Sequence, residues 1–349
     1  MAVITVLGAG AMGSALCRPL VDSGWEVRLW GTWLDDHLLE TVENGDPHPR
    51  TGAIVPKEVT LYRSYALKDA LDGATVVVMS VASVGVQRVT ELALDSISQA
   101  EALWLTSKGF YEDEAGRISL LPDAIRTIAT RNGTPIPPIV AIAGPVKANE
   151  CAEGMPTATI FGCIDGETAA KYAAATTTSH YAVASTDDEI GVEVCAPMKN
   201  VYAIALGIAD GLEESTGIPH HNLKAATFTQ AVAEMSRLGT ALGAKPQTAF
   251  GLPGVGDLEV TGLSGRNKVF GVRIGRGEAP TDALAEMGRL EQTVEGASAL
   301  PLALKLVEQT KGITLDDFPL LKAVHQIVRG DSKEKVKDIV SRAVLPRTR

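Results

Sequence analysis

Three segments of this 349-residue chain combine residue types that could do chemistry at short spacing. Thr106-Ser107-Lys108-Gly109 closes an apolar run, and Pro197-Met198-Lys199-Asn200 opens a helical one. Gly254-Val255-Gly256-Asp257 leads to Thr261 and then to Gly265-Arg266-Asn267. When a hydride reduces a ketone, an alkoxide develops, and a positioned lysine ammonium can protonate it; in the reverse direction the amine is the base. A nearby carboxylate such as Asp257 could orient that lysine and tune its pKa. Arg266, Asn267 and Thr261 offer a guanidinium fork, an amide and a hydroxyl, a donor set that suits a phosphate. Plainer readings stand beside these: a lysine near a helix start is usually solvated, and G-x-G-D and G-R-N are common turns. Glu291-Gln292-Thr293-Val294-Glu295-Gly296 reads equally well as a polar loop.

A second kind of chemistry lies at the N-terminus. Gly8-Ala9-Gly10-Ala11-Met12-Gly13 matches G-x-G-x-x-G, follows the apolar run Val3–Leu7 and precedes a helical pattern over Ser14–Val21. That context is what a dinucleotide-binding turn requires. Gly8 permits the tight turn, Gly10 lets backbone approach a pyrophosphate, and Gly13 allows close helix–strand packing. The next strand ends Leu29-Trp30-Gly31-Thr32, with no acidic residue or arginine at its tip and Asp35 and Asp36 slightly late. NAD and NADP both remain open at this position.

These groups need a scaffold to position them. Val3–Leu7, Trp25–Trp30, Thr75–Val81, Ala102–Thr106 and Ile139–Ile142 are short apolar runs separated by helical patterns, the pattern of buried parallel strands with helical crossovers. Thr157–Phe161 and Tyr181–Ser185 could extend the sheet. Beyond about residue 190 the periodicity turns helical, over Lys199–Ala209, Asn222–Leu242, Ala297–Glu308 and Pro319–Arg329. The fold class expected is α/β: a Rossmann-type doubly wound sheet in residues 1–190, then a mainly α-helical substrate and catalytic domain in 191–349. The charged tail ending Arg347-Thr348-Arg349 reads as a last, fraying helix.

The net charge of −10 works against binding a phosphate backbone, so nucleic acid is not an expected partner. No stretch of about 18 uninterrupted apolar residues predicts a membrane span, and the N-terminus reads as a strand instead of a signal peptide. Cys17, Cys151, Cys163 and Cys195 form no C-x-x-C pair and read as buried free thiols of a cytoplasmic protein. His220-His221 reads as a loop or cap, since adjacent histidines point apart on a helix; no metal is expected. His37, His48 and His325 are scattered, and Trp30 and Trp33 are expected near the adenine side.

Taken in order, V-L-G-A-G-A-M-G, L-W-G, T-S-K-G, A-G-P, M-K-N-V-Y-A-I-A, A-E-M-S-R-L-G-T-A-L-G-A, G-V-G-D-L-E-V-T, G-R-N-K and V-E-G make a chain that resembles the NAD(P)-dependent glycerol-3-phosphate dehydrogenases over nearly its whole length. The resemblance implies reversible reduction of dihydroxyacetone phosphate to sn-glycerol 3-phosphate in a cleft between domains, with NAD or NADP as cofactor. It implies Lys199 as the acid/base, with Lys108 and Asp257 beside the reacting carbon. Lys108, Gly144, Asn200, Thr261, Arg266 and Asn267 would bind the substrate. Gly8, Gly10, Ala11, Met12, Gly13, Thr32, Lys108, Ala148, Arg266 and Glu295 would line the cofactor. A homodimer through the helical domain is implied as well. The chain departs from the family pattern at Val146 and Lys147, at Cys195-Ala196 before the lysine, at Gln230, and at Ala82-Ser83, where a proline is usual. These departures leave open a different small sugar phosphate or hydroxy compound as substrate. A cofactor-sensing binding protein without turnover is the rival from another class, and the retained Lys199, Lys108 and Asp257 weigh against it.

Overall fold

The computed structural model describes residues 2–290 and 292–345; Glu291 and the expected tail residues Arg347-Thr348-Arg349 lie outside them. By contact density the chain divides into two compact units, Met1–Tyr111 with Leu120–Glu193, and Glu112–Ser119 with Val194–Arg349. The division at Glu193 stands beside an expected boundary at 190, and a short excursion of the first half joins the second unit.

In the first unit the apolar runs form strands β1 (Val3–Leu7), β2 (Glu26–Trp30), β3 (Thr60–Tyr62), β4 (Val76–Met79) and β5 (Ala102–Leu105). The hairpin β6 (Phe110–Glu112) and β7 (Ile118–Leu120) follows, then β8 (Ile139–Ala143), β9 (Thr157–Gly162) and β10 (Tyr181–Thr186). Eight of these make one sheet in the order β10-β9-β8-β5-β4-β1-β2-β3. Pairing is parallel throughout except between β8 and β9. Strands β4, β5 and β8 are buried at every residue, which is why they read as continuous apolar runs and not as alternations. Strand β3 was not anticipated: at three residues and half-buried, it is too short to leave a periodic signal. The chain runs outward from β1 through β2 to β3 on one side and resumes with β4 on the other. The turn after β1 therefore sits at the topological switch point, where ligands of such sheets bind.

The second unit is helical apart from the excursion. Within it, Gln309 closes on that segment, its Oε1 accepting from the Ile118 N–H at 2.9 Å, and Lys305 pairs with Glu112 at 2.5 Å. The helix Glu189–Thr216, most of which lies in this unit, begins well before the expected start at Pro197. Proline is favoured at a first helical turn, but here Pro197 stands inside the helix, where one lost hydrogen bond is offset by burial of nearly the whole element. This helix is long and apolar enough to cross a membrane by composition, yet its most apolar window is entirely buried within the protein.

Helix packing in this unit rests on reciprocal glycines. A methyl group on Gly207 or Gly211 would strike the carbonyls of Lys268 and Val272; one on Gly271 or Gly275 would strike those of Ile204 and Ile208. Glycine at spacing four on both helices lets Glu189–Thr216 and Arg266–Gly275 approach backbone to backbone. The glycines thereby set the register of Asn200 against Asn267.

Candidate active site

In the first unit the glycine turn is a backbone cradle. Gly8 has φ +111°, a conformation that disfavours side chains, and a Cβ there would lie 2.9 Å from the Ser80 carbonyl oxygen. A methyl on Gly13 would collide with the Gly8 carbonyl, so the helix Ala11–Asp22 can begin only with glycine at this contact. Gly10 differs: a Cβ there would meet nothing nearer than Arg50 Nη1 at 3.6 Å. Among the described residues nothing requires glycine at this position, and its bare backbone leaves room for a ligand to approach closely. Gly10 is the N-cap, no side chain caps the helix, and its first turn holds no acid, so the first N–H groups and the positive helix end face outward. A cradle with these properties fits a dinucleotide pyrophosphate.

His48 braces this turn. Fully buried, it accepts the Arg50 N–H on Nδ1 at 3.2 Å, which places its own proton on Nε2, 2.9 Å from the Ala9 carbonyl oxygen. Burial holds its pKa below the ordinary value. Thr32 gives both its N–H and its hydroxyl to Asp35 Oδ2, at 2.9 and 2.8 Å. Of the two tryptophans expected near the adenine side, Trp30 is buried with Nε1 donating to the Ser64 carbonyl, whereas Trp33 is exposed.

At the carboxyl ends of β5 and β8, a recess is lined by Met12, Thr106, Lys108, Gly144, Val146 and Tyr181. Gly144 has φ +144°, and a Cβ on it would lie 2.9 Å from Thr159 Cα. Ala148, half-buried, opens the short helix Ala148–Ala152 beside this edge. Lys108 is half-buried near Glu193. Burial first, and then Glu189, push the Glu193 carboxyl well above the usual carboxylate range, with Lys108 opposing. Glu189 itself is held by Arg126 through two bonds of 2.8 and 2.7 Å. Neither Glu193 nor His48 leaves a motif in the sequence: the first is a lone acid in an apolar run, and the second a lone histidine in a Gly- and Pro-rich loop.

In the second unit the expected lysine, acid and hydroxyl converge. Lys199 Nζ donates to Asp257 Oδ1 at 2.5 Å and to Thr261 Oγ1 at 2.7 Å. The side chains of Lys199 and Asp257 are 8% and 1% exposed, so this charge pair is almost completely desolvated. Its geometry depends on a π-turn over Leu252–Gly256, which delivers Asp257 as the first residue of the helix Asp257–Leu263. Thr261, one turn later, falls on the same face.

Beside them lies a polar network. Asn200 Nδ2 donates to Glu295 Oε2 at 2.9 Å, and the Gly296 N–H donates to Asn267 Oδ1 at 2.8 Å. Arg266 Nη2 stands 3.9 Å from Glu295 Oε1 and is exposed. A side chain on Gly296 would collide with the Asn200 carbonyl, so V-E-G is fixed by packing as much as by charge. Asn267 spends its carbonyl inward, which leaves its amide N–H groups as donors. Arg266 and Asn267 open the helix Arg266–Gly275, where free backbone N–H groups add to the donor set. Such a cluster can give up or accept a proton at Lys199 Nζ while its neighbours hold an anionic group.

The departures from the family pattern have local partners. Gln230 Nε2 donates to Glu234 Oε1 at 2.8 Å, and Lys147 pairs with Glu150 at 3.4 Å. Cys195 and Ala196 are buried along the central helix. Glu234 is a buried carboxylate that also accepts from Tyr202 Oη, Leu320 N and Leu321 N at 2.8, 2.7 and 3.0 Å, tying three helices together. His220 is the N-cap residue of the helix His221–Ala241, and among the described residues no group of three His, Cys, Asp or Glu side chains could hold a metal ion.

Comparison with known proteins places this geometry in context. Residues 3–169 match the family model for the N-terminus of NAD-dependent glycerol-3-phosphate dehydrogenase, and residues 188–341 match the model for its C-terminus. The chain is 34% identical to the NADP(+)-dependent glycerol-3-phosphate dehydrogenase of Archaeoglobus fulgidus, over 93% of this chain and 95% of that one. It is 33% identical to glycerol-3-phosphate dehydrogenase [NAD(P)+] 2 of Mycobacterium tuberculosis, over 93% and 91%. Among solved structures it is similar to glycerol-3-phosphate dehydrogenase from Coxiella burnetii, with TM-score 0.81, 30% identity and 98% of each chain covered.

Proposed function

Because the chain belongs to the NAD-dependent glycerol-3-phosphate dehydrogenase family, and so is an NAD(P)-dependent oxidoreductase acting on a CH–OH group, we propose that it interconverts dihydroxyacetone phosphate and sn-glycerol 3-phosphate with Lys199 as the acid/base. The observation that carries this reading is the desolvated lysine held between Asp257 and Thr261. When bound, the dinucleotide supplies or receives the hydride. The protein's task is then the proton and the phosphate. Lys199 gives its proton to the ketone oxygen as that oxygen gains charge, and takes it back from the hydroxyl in the oxidative direction. Asp257 aims the ammonium and balances its charge where water cannot. Asn200, Thr261, Arg266 and Asn267 bind the substrate, Arg266 and Asn267 holding its phosphate; Lys108 and Gly144 also belong to the substrate's environment on this reading. Gly8, Gly10, Ala11, Met12, Gly13, Thr32 and Ala148 are assigned to the cofactor, with Lys108, Arg266 and Glu295 completing the set.

The local partners of Gln230 and Lys147 support the standard substrate, since both departures serve packing or surface pairing. Four buried free cysteines support a reducing, cytoplasmic setting, and exposed Phe250, Leu263 and Val269 support a homodimer through the helical unit. The test is to follow the absorbance of NADPH and NADH with dihydroxyacetone phosphate and with free dihydroxyacetone. Oxidation with the phosphate alone is expected. Equal turnover of both ketones removes the phosphate role of Arg266 and Asn267, and no turnover of either removes the substrate assignment.

A further inference from the structure

The carboxyl end of β2 is where a dinucleotide's adenosine ribose is read, by a carboxylate for a 2′-hydroxyl or by an arginine for a 2′-phosphate. The carboxylate nearest this end, Asp35, is unsuited to the first task. It is 7% exposed, and its Oδ2 already accepts two hydrogen bonds from Thr32, which close the turn after the strand. Arg63 is also spent, bound to Glu43 through Nη2 at 2.5 Å and to the Asp36 carbonyl through Nη1 at 2.7 Å.

One further arginine reaches this edge from a different element. Arg88 lies on the helix Ser83–Ile97 that follows β4, and its guanidinium carbon sits 3.7 Å from the ring centroid of Trp33. Trp33 is 40% exposed, and among the described residues no carboxylate pairs with Arg88. Stacking uses the face of the guanidinium and fixes its plane, which leaves the N–H edges outward in the fork that suits a phosphate. An exposed arginine ordered by an aromatic ring, with no acid to neutralise it, is a preorganised dianion receptor.

We propose that Arg88, ordered by Trp33, takes the adenosine 2′-phosphate and so makes this chain select NADP over NAD. The assignment rests on the dinucleotide reading of the glycine turn and adds which of the two cofactors it serves. The arginine comes from the helix after β4 and not from the tip of β2, which is why inspection of that tip alone leaves the choice open.

The test uses the full chain and needs no turnover. Adenosine 2′,5′-bisphosphate and adenosine 5′-monophosphate differ only in the 2′-phosphate, and their affinities are compared by calorimetry, alongside NADPH and NADH by fluorescence. The bisphosphate should bind more tightly by about tenfold to a hundredfold, as expected for charge-assisted hydrogen bonds. Arg88→Ala should erase most of that ratio, Arg88→Lys should keep part of it, and Trp33→Leu should narrow it by releasing the guanidinium. Both side chains are exposed, so these variants test recognition and not folding. Equal affinities in the unaltered chain overturn the proposal. So does a preference that survives Arg88→Ala, or one lost only in Arg50→Ala, whose guanidinium lies beside Gly10. In those cases NADPH-dependent or NADH-dependent reduction of dihydroxyacetone phosphate would still stand. Failure of every nucleotide to bind a folded chain instead removes the cofactor reading itself.

Discussion

The glycine turn and the Lys199 cluster achieve preorganisation by opposite means. In the turn, most of what faces a ligand is backbone, built from six consecutive residues of which five are glycine or alanine and only Met12 carries a long side chain. In the cluster the groups are mainly side chains, drawn from positions between 199 and 295 on separate helices, with the Gly296 N–H holding Asn267 in place. A backbone site is specified by the shape that sterics permit, whereas a side-chain site is specified by the helices that carry it. Substitutions should therefore fail differently in the two places.

The largest effect belongs to the lysine. Lys199→Met should lower kcat by about 10²–10⁴-fold, the usual contribution of general acid–base catalysis, with nucleotide affinity little changed. Because Asp257 would be left buried without its cation, a melting curve must accompany the kinetics. A folded Lys199→Met enzyme within tenfold of the original kcat would falsify the acid/base assignment.

A pair of glycine substitutions sharpens the contrast. Gly271→Ala should destabilise the second unit by about 1–3 kcal/mol or more, since the new methyl must displace the Ile204 backbone. Gly10→Ala should leave the melting temperature near its original value, because φ −71° and ψ −172° suit any residue and the nearest atom stands 3.6 Å away. Its cost should appear as weaker dinucleotide binding, by about tenfold if one phosphate contact is lost. Loss of stability in Gly10→Ala without loss of affinity would reverse the distinction between a glycine demanded by packing and one demanded by a ligand.

That distinction also explains what could be read in the sequence. The turn was legible because its constraint is local: strand, three glycines and helix must follow one another, and the spacing carries the geometry. The burial of β4, β5 and β8 was legible for the same reason, as unbroken apolar runs. Lys199, Asp257 and Thr261 were legible as chemistry but not as a constellation; the ordered motifs of a family connected them, and spacing alone could not. The start of the central helix was misread because Pro197 imitates a first turn, and tertiary burial overrides that local signal. The reciprocal glycines at 207, 211, 271 and 275 lay in plain view, but they meet only once two helices separated by some fifty residues are packed. His48 and Arg88 were the least legible, each a single residue whose partner is a backbone oxygen or a ring far along the chain.

Glu295 gives a smaller test of the side-chain site. Glu295→Gln keeps an acceptor for Asn200 and removes the charge facing Arg266, a long and half-exposed contact. A rise of a few-fold in KM with kcat nearly constant is expected, since an exposed pair of this kind is worth about 0–1 kcal/mol. An equal drop in kcat would mean that the charge acts at the reacting carbon.

The mildest effect concerns the brace beneath the glycine turn. His48 Nε2 donates to the Ala9 carbonyl while Nδ1 accepts from Arg50, so the ring must be neutral: a second proton on Nδ1 would face the Arg50 N–H. Burial is the largest cause of its lowered pKa; the Ala9 bond and the charge of Asp35 oppose this, while Arg50 and His37 add to it. Folding thus excludes a proton that the unfolded chain binds once the pH drops below the ordinary value of 6.5. The unfolded state then holds more protons, so this contribution to stability is complete above that value and declines as pH falls toward the folded pKa. A melting temperature measured from about pH 8 down to about pH 5 should fall in the original chain and fall less steeply in His48→Asn. Nucleotide affinity should decline over the same range, because the Ala9 carbonyl loses its fixed partner as the ring leaves. Identical pH profiles for the two proteins would show that the turn holds its shape by glycine sterics alone, and that a backbone site of this kind needs no side-chain support.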